Sequence, residues 1–153
     1  MAGLISLTML LSAFAFQHLG GLHPCTLCLW QRWPHAIATA LAIGTFFAPH
    51  QVKKTALVLG STTMFISVIL AGWHTGVEIG VLPGLSSCGS VVPNVSTEEL
   101  ARMIANNTLP ACDKVAWTFL GQSMAGWNFL ISSVLLGLWL AGAKQALSTK
   151  SKT

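Results

Sequence analysis

The sequence is poor in charged residues. Only 8% of its 153 residues are Asp, Glu, Lys or Arg, whereas an ordinary soluble domain has about 25%. A chain with so few charges cannot cover a water-facing surface, and 53% of its residues are hydrophobic. Long basic runs are also missing, since the longest is Lys53-Lys54, so we expect no nucleic-acid partner. The composition therefore indicates one integral membrane domain over residues 1–153.

Four apolar segments are long enough to cross a bilayer, which takes about 20 residues. They cover about residues 4–22, 29–48, 55–73 and 124–143. No basic residue precedes the first segment, which we interpret as a retained helix rather than a cleavable signal peptide. Because the backbone must satisfy its own hydrogen bonds in lipid, all four are expected to be helices. The predicted fold class is an all-α membrane protein, a four-transmembrane-helix bundle with a short loop (23–28) and a long loop (74–123).

The lysines give the bundle an orientation. Five of them lie in the second connection and the C-terminal tail, where no acidic residue accompanies them: Lys53, Lys54, Lys144, Lys150 and Lys152. The positive-inside rule places these segments, and both termini, in the cytoplasm. Both cysteine-bearing loops then face the periplasm, where disulfides persist.

The short loop carries a Cys-x-x-Cys pair, Cys25 and Cys28, directly after Pro24. Such a pair closes a tight and labile disulfide, which is typical of redox-active sites. We expect a helix to begin after Cys25, so that exposed N–H groups stabilise its thiolate. Arg32 follows Cys28 by four residues on the same helical face, where its charge could steady a thiolate or bind a carbonyl oxygen. The alternative is half of a metal site, although neither His-x-x-His nor a second Cys-x-x-Cys follows.

The long loop carries the other two cysteines, Cys88 and Cys112. Between them, Ser96 and Glu99 have capping-box spacing and predict a short surface helix over about residues 97–106. Its apolar stripe could lie on the membrane surface or pack against the loop. Four cysteines allow three pairings, and the most economical joins Cys25 to Cys28 and Cys88 to Cys112. The second bridge could be a structural staple worth roughly 3 kcal/mol, or could exchange with the first.

A relay between cysteine pairs needs a terminal electron acceptor. The chain has no Rossmann glycine pattern, haem-type Cys-x-x-Cys-His or flavin motif, so we expect a lipid-soluble quinone to take this role. Four aromatic residues suit its ring, although each could equally be an interfacial or core residue: Trp30, Trp33, Phe46 and Phe47. His18 and His74, at the ends of two predicted spans, could assist proton uptake or could simply be interfacial residues.

Several motifs in order resemble the DsbB family of disulfide bond formation proteins. They are Phe16-Gln17-His18, Pro24-Cys25-Thr26-Leu27-Cys28-Leu29-Trp30-Gln31-Arg32, Ala111-Cys112-Asp113 and Trp117-Thr118-Phe119-Leu120-Gly121, then Met124 and Trp127. The resemblance implies a multi-pass protein of the bacterial inner membrane. It would oxidise a DsbA-like thioredoxin-fold protein of the periplasm for oxidative protein folding, and pass the electrons to ubiquinone or menaquinone.

The resemblance also implies roles for single residues. Cys25 and Cys28 resemble the quinone-proximal pair, with Cys28 as the thiolate that forms a charge-transfer complex or adduct. Arg32 matches the quinone-interacting arginine, and His74 is a further candidate for quinone binding. Cys88 resembles the cysteine attacked by the reduced partner, after which Cys112 would attack Cys25. At position 31 this chain has glutamine where some members carry an acid.

Two other functional classes stay open at this point. A transmembrane thiol conveyor or reductase would need cysteines within the membrane core, yet none of the four lies in the middle of a predicted span. A metal-binding or purely structural membrane protein would hold zinc and show no dependence on quinone.

Overall fold

The computed structural model describes residues 1–85, 96–106 and 110–148. The described chain is helical, as predicted, apart from one small β-hairpin. The elements in order are α1 (Ala2–His18), α2 (Thr26–Phe47), α3 (His50–Glu78), α4 (Thr97–Ala105), β1 (Thr118–Phe119), β2 (Gln122–Ser123) and α5 (Met124–Ser148).

The four long helices pack side by side. α3 lies against both α5 and α2, and α1 lies against α2 and touches α5. Ala48 and Pro49 alone connect α2 to α3, and Ala48 has the extended backbone (ψ 146°) that a following proline favours. At Gly60, α3 approaches α5 so closely that a Cβ atom would overlap the ring of Trp139. The short turn and this close approach hold α2, α3 and α5 together as one unit.

Two of the described helices are long and apolar enough to cross a membrane, judged by length and composition: Gln51–Glu78 and Met124–Ser148. α1 is apolar but has 17 residues. α2 has 22 residues and is more polar in its first turns, where it carries Gln31, Arg32 and His35. Many large apolar side chains on the bundle are exposed, as lipid-facing surfaces require. The count of four spans stays a prediction.

α3 continues past the predicted end of its span at about residue 73. The predicted loop therefore begins five residues too early, because residues 74–78 are helical. His74 and Glu78 are polar, so hydropathy alone ends the segment before them. Inside the bundle both side chains meet polar partners, His74 with Gln31 and Glu78 with Ser123, and the helix need not end there.

The short helix of the long loop lies where the capping signal predicted it. The Ser96 hydroxyl accepts a hydrogen bond from the Glu99 N–H at 3.2 Å, and α4 runs from Thr97 to Ala105. Met103 on this helix is buried, whereas Ile104 is 60% exposed. One side of α4 therefore packs on protein, while part of its apolar stripe stays open to the surroundings.

A β-hairpin that the sequence reasoning did not predict precedes α5. Thr118 pairs with Ser123 and Phe119 with Gln122 in antiparallel register. The two turn residues between the strands both have positive φ, 50° at Leu120 and 77° at Gly121, as a tight two-residue hairpin turn requires. The hairpin holds an aromatic group against the end of α1, because Trp117 lies 5.0 Å from the ring of Phe16.

The interior of the bundle has three layers. One apolar cluster contains Cys25, Leu27, Val77 and Cys112. A second contains Ala38, Met64, Leu135 and Trp139. Along each of α2, α3 and α5, buried polar side chains lie between the two clusters: Gln31, His35, Ser67, His74, Asn128 and Ser132. Burying such groups costs free energy unless they are hydrogen-bonded, so this polar layer requires internal partners.

Candidate functional site

Cys25 lies at the N-cap of α2, as the sequence predicted. Its backbone is extended (φ −73°, ψ 171°), and the helix begins at the next residue, Thr26. The Cys28 N–H points at the Cys25 sulfur at 3.4 Å. A sulfur in this position receives the partial positive charge of the helix N-terminus, which favours a thiolate.

Cys25 and Cys28 are free thiols whose sulfurs lie 3.2 Å apart, close enough to share one proton. The His74 Nε2 atom lies 3.7 Å from the Cys25 sulfur. The hydrogen bond with Cys28, and then that with His74, lower the pKa of the Cys25 thiol to about 4, although burial opposes the shift. Cys25 is therefore the member of the pair that carries negative charge at neutral pH.

This low pKa predicts how the reduced protein reacts with iodoacetamide. Above its pKa Cys25 is a thiolate, so its alkylation rate should stay nearly constant from about pH 8 to pH 5 and fall tenfold per unit only below about pH 4. An ordinary thiol loses reactivity tenfold per unit below about pH 8.5. Peptide mapping of a Cys88→Ser/Cys112→Ser variant would show whether the alkylated residue is Cys25 or Cys28. A rate that rises tenfold per unit between pH 5 and pH 8 would contradict this charge state.

Cys112 reaches the same end of the bundle from the long loop. It is 1% exposed, is disulfide-bonded, and belongs to the buried cluster that contains Cys25. Cys88 lies outside the described residues. Three of the four predicted cysteines are therefore present in the described structure, and all three lie together.

A cavity of about 360 Å³ lies beside this cluster, within the size range of small-molecule sites. Cys28 lines it and Cys25 does not. The polar residues of its wall are Ser12, His23, Cys28, Gln31, Arg32, His35, His74 and Asn128. Aromatic rings from α1, the hairpin and α5 form much of the rest: Phe16, Trp117, Phe119 and Trp127.

The cavity corrects one sequence expectation. Trp30, Trp33, Phe46 and Phe47 do not line it, and they are 47%, 69%, 81% and 90% exposed. Of the two alternative interpretations, core and interfacial residues, their exposure excludes the core. Sequence reasoning missed the rings that do line the cavity, because their placement depends on the hairpin.

Arg32 also lines the cavity and is held in place by α1. Its guanidinium donates to the Gln17 side chain at 2.6 Å and to the Ala13 carbonyl at 3.3 Å. The charged group also lies 4.9 Å from the centre of the Phe14 ring. A guanidinium has five N–H donors, so these contacts leave others for a ligand in the cavity. No local pattern around Arg32 or Gln17 predicted this contact.

His74 is 3% exposed and lies at the centre of the site rather than in a loop. Its Nδ1 atom is 2.7 Å from the Gln31 amide nitrogen, and its Nε2 atom is 3.9 Å from Glu78. His18 does not line the cavity, and its ring stacks on that of Phe14 at 6.3 Å. Of the two histidines considered for proton uptake, the structure brings His74 alone to the cysteines.

The same site has three potential metal ligands. The ligand atoms of Cys25, Cys28 and His74 all lie within 4.8 Å of one another. Two thiolates and an imidazole suit zinc, although a closed structural site has four ligands.

Comparison with known families favours the redox chemistry. The sequence model of the family described as Disulfide bond formation protein DsbB matches residues 1–142. The chain belongs to the DsbB family. The Disulfide bond formation protein B of Aeromonas hydrophila is 34% identical over 131 residues, 82% of this chain and 75% of that protein. The protein of the same name from Xylella fastidiosa is 32% identical over 154 residues, 94% of this chain and 88% of that protein.

Membership of the DsbB family confirms the resemblance that the motifs indicated. The protein is a disulfide-forming oxidoreductase, and its apolar helices agree with the membrane location of such a protein. The free thiol pair and the disulfide at Cys112 are the chemical groups that this activity needs.

Proposed function

We propose that the protein is a membrane thiol oxidase that reoxidises a DsbA-like dithiol protein and passes the electrons to a membrane quinone. One observation carries the proposal. Cys112, in a disulfide, shares a buried cluster with the free thiol Cys25, while Cys28 lines a cavity with Arg32 and His74. Electrons can therefore enter at one disulfide and leave at the other end of a short series of sulfurs.

The sulfur steps balance as four thiol–disulfide exchanges. We assign the second sulfur of the Cys112 disulfide to Cys88, the cysteine of the sequence that lies outside the described residues. A partner thiolate attacks Cys88 and releases Cys112. Cys112 then attacks Cys25 of the oxidised Cys25–Cys28 pair and releases Cys28 as a thiolate. The second thiol of the partner resolves its mixed disulfide with Cys88, so that the partner leaves oxidised. The Cys88 thiolate then attacks Cys112 of the Cys112–Cys25 disulfide, which re-forms the Cys88–Cys112 bond and releases Cys25, so that the two electrons rest on the Cys25–Cys28 dithiol.

Cys28 is the sulfur placed to deliver these electrons, because it faces the cavity. A bound ubiquinone or menaquinone supplies a two-electron, two-proton acceptor there. As Cys28 gives up its electrons, the Cys25 sulfur re-forms the disulfide with it across the present 3.2 Å separation. Arg32 holds its charge beside the cavity through Gln17, and the aromatic rings of Phe16 and Trp117 provide flat apolar walls.

The topology belongs to the same proposal. We propose four membrane spans in the bacterial inner membrane, formed by α1, α2, α3 and α5, with both termini in the cytoplasm. The cysteines would then face the periplasm. The lysine distribution and the disulfide at Cys112 both support this orientation.

Purified protein in detergent should oxidise a reduced DsbA-like protein and bleach ubiquinone-1 in a one-to-one ratio. Omission of either reactant should stop turnover, because the enzyme returns to its starting state only when both the dithiol and the quinone are present. Thiol loss and quinone absorbance, followed in the same cuvette, give the stoichiometry. Thiol oxidation that continues at the same rate without quinone would contradict the proposal.

Metal binding is a second candidate, which the three converging ligand atoms favour. It requires the reduced form, since a Cys25–Cys28 disulfide has no thiolate to offer. Stoichiometric zinc in the purified protein, together with no quinone bleaching in the same assay, would favour this candidate over the oxidase.

A further inference from the structure

The polar layer contains a hydrogen-bonded chain that runs from His35 to the catalytic cysteines. His35 Nε2 lies 2.8 Å from the Asn128 side-chain oxygen. The Asn128 amide nitrogen bonds the Gln31 side-chain oxygen, and the Gln31 amide nitrogen lies 2.7 Å from His74 Nδ1. The four side chains are 3–8% exposed, so water does not compete for these bonds.

The chain fixes which nitrogen of His74 carries the proton. An amide NH₂ group only donates, so His74 Nδ1 accepts from Gln31 and the ring proton lies on Nε2. That nitrogen faces two acceptors, the Cys25 sulfur at 3.7 Å and the Glu78 carboxylate at 3.9 Å. Both require a donor at Nε2, so this end of the chain agrees with the amide orientation.

The opposite direction of donation would be unfavourable at both ends. If Gln31 and Asn128 were both flipped, the proton of His35 would move to Nδ1, which is buried and has no hydrogen-bond partner among the described residues. A buried N–H without an acceptor is rarer and costlier than a buried acceptor without a donor. The same flip would leave a bare Nε2 lone pair on His74 facing the Cys25 sulfur and the Glu78 carboxylate. The two ends together therefore select one direction.

We infer that Gln31 and Asn128, backed by His35, are positioning residues that hold His74 as an Nε2–H donor aimed at the Cys25 sulfur. His74 then stabilises the Cys25 thiolate as a neutral hydrogen-bond donor and does not act as a base toward it. The catalytic consequence of this inference rests on the proposed function: Cys25 stays ready to re-form the disulfide with Cys28. The hydrogen bonds from His35 to Cys25 do not depend on a bound quinone.

The direct test is the tautomer of His74 by ¹⁵N NMR of the full chain in its reduced form, with ring-labelled histidine in detergent. His74→Gln assigns the signal among the five histidines. The wild-type ring should be neutral with its proton on Nε2. In Gln31→Glu the carboxylate replaces a donor by an acceptor at similar size, so a proton should appear on Nδ1. Asn128→Asp, which accepts from His35 but cannot donate to Gln31, should give a mixture of tautomers.

A second readout is the pH midpoint of Cys25 alkylation. Four titratable or charged groups surround this sulfur and its partner: Cys28, Arg32, His74 and Glu78. Gln31→Met leaves all four in place, so the loss of part of the His74 hydrogen bond should raise the midpoint by about 1 pH unit. Ser133→Ala is the matched control, because Ser133 lies on the same helix as Asn128, is exposed, and donates to the Phe129 carbonyl of its own helix.

The outcomes separate this inference from the proposed function. A wild-type His74 with its proton on Nδ1, or with both nitrogens protonated at neutral pH, would overturn it. The inference would also be overturned if Gln31→Met left both the His74 tautomer and the pH midpoint of Cys25 alkylation as they are in the wild type. An Nε2–H ring in a protein that fails to reduce quinone would uphold the inference and count against the oxidase.

Discussion

Replacement of Cys28 by serine is expected to abolish quinone reduction, lowering the turnover number at least about a thousandfold. Cys28 is the cysteine of the pair that lines the cavity, so the proposed function assigns to its sulfur the step at which electrons leave the protein. Serine is nearly the same size, but its hydroxyl cannot form a disulfide with Cys25. The measurement is bleaching of ubiquinone-1 by the purified variant with a reduced DsbA-like protein.

Two controls make this result specific to electron transfer. The variant should retain the disulfide at Cys112, shown by peptide mapping, because that bond does not involve position 28. Thr26→Ser changes a nearby residue in the first turn of α2 and keeps both sulfurs, so its turnover should stay within about twofold of wild type. Undiminished quinone reduction by Cys28→Ser would mean that the cavity beside Cys28 is not the acceptor site.

Local signals in the sequence predicted the local structure around the cysteines. The proline before Cys25 and the spacing of the pair predicted a helix that begins after Cys25, and α2 begins at Thr26. Ser96 and Glu99 predicted the start of α4 in the same way. In each case a side chain bonds a backbone group within three residues, so no knowledge of the tertiary fold is needed.

The contacts between helices were not predictable in this way. Arg32 meets Gln17 across 15 residues, and His35 meets Asn128 across 93 residues, with no pattern in either segment that points to the other. Hydropathy also treats a polar residue as the end of a span, whereas His74 is buried because Gln31 offers it a partner. The polar layer thus depends on which helices pack together, and that information is not contained in any one segment.

Arg32→Met is expected to raise the KM for quinone roughly 30-fold, with a smaller fall in turnover at saturating quinone. Methionine keeps an unbranched apolar stem, but it removes the charge beside the cavity and the bonds to Gln17 and the Ala13 carbonyl. The reason for the KM effect is that the proposed function uses the guanidinium to bind a carbonyl oxygen of the quinone, whereas the substitution leaves the sulfurs unchanged. Initial rates at several ubiquinone-1 concentrations give both constants.

Two further variants separate the charge of Arg32 from its anchoring by α1. Arg32→Lys keeps the charge but loses the planar fork, so its KM should lie between those of wild type and Arg32→Met. Gln17→Met removes one anchor at 2.6 Å and leaves the guanidinium in place, so its KM should rise by less than that of Arg32→Met. If Gln17→Met and Arg32→Met gave the same KM, the arginine would act by fixing α1 against α2. An unchanged KM in Arg32→Met would remove Arg32 from the quinone site altogether, and the search for the carbonyl partner would move to His74, a buried histidine of the cavity wall.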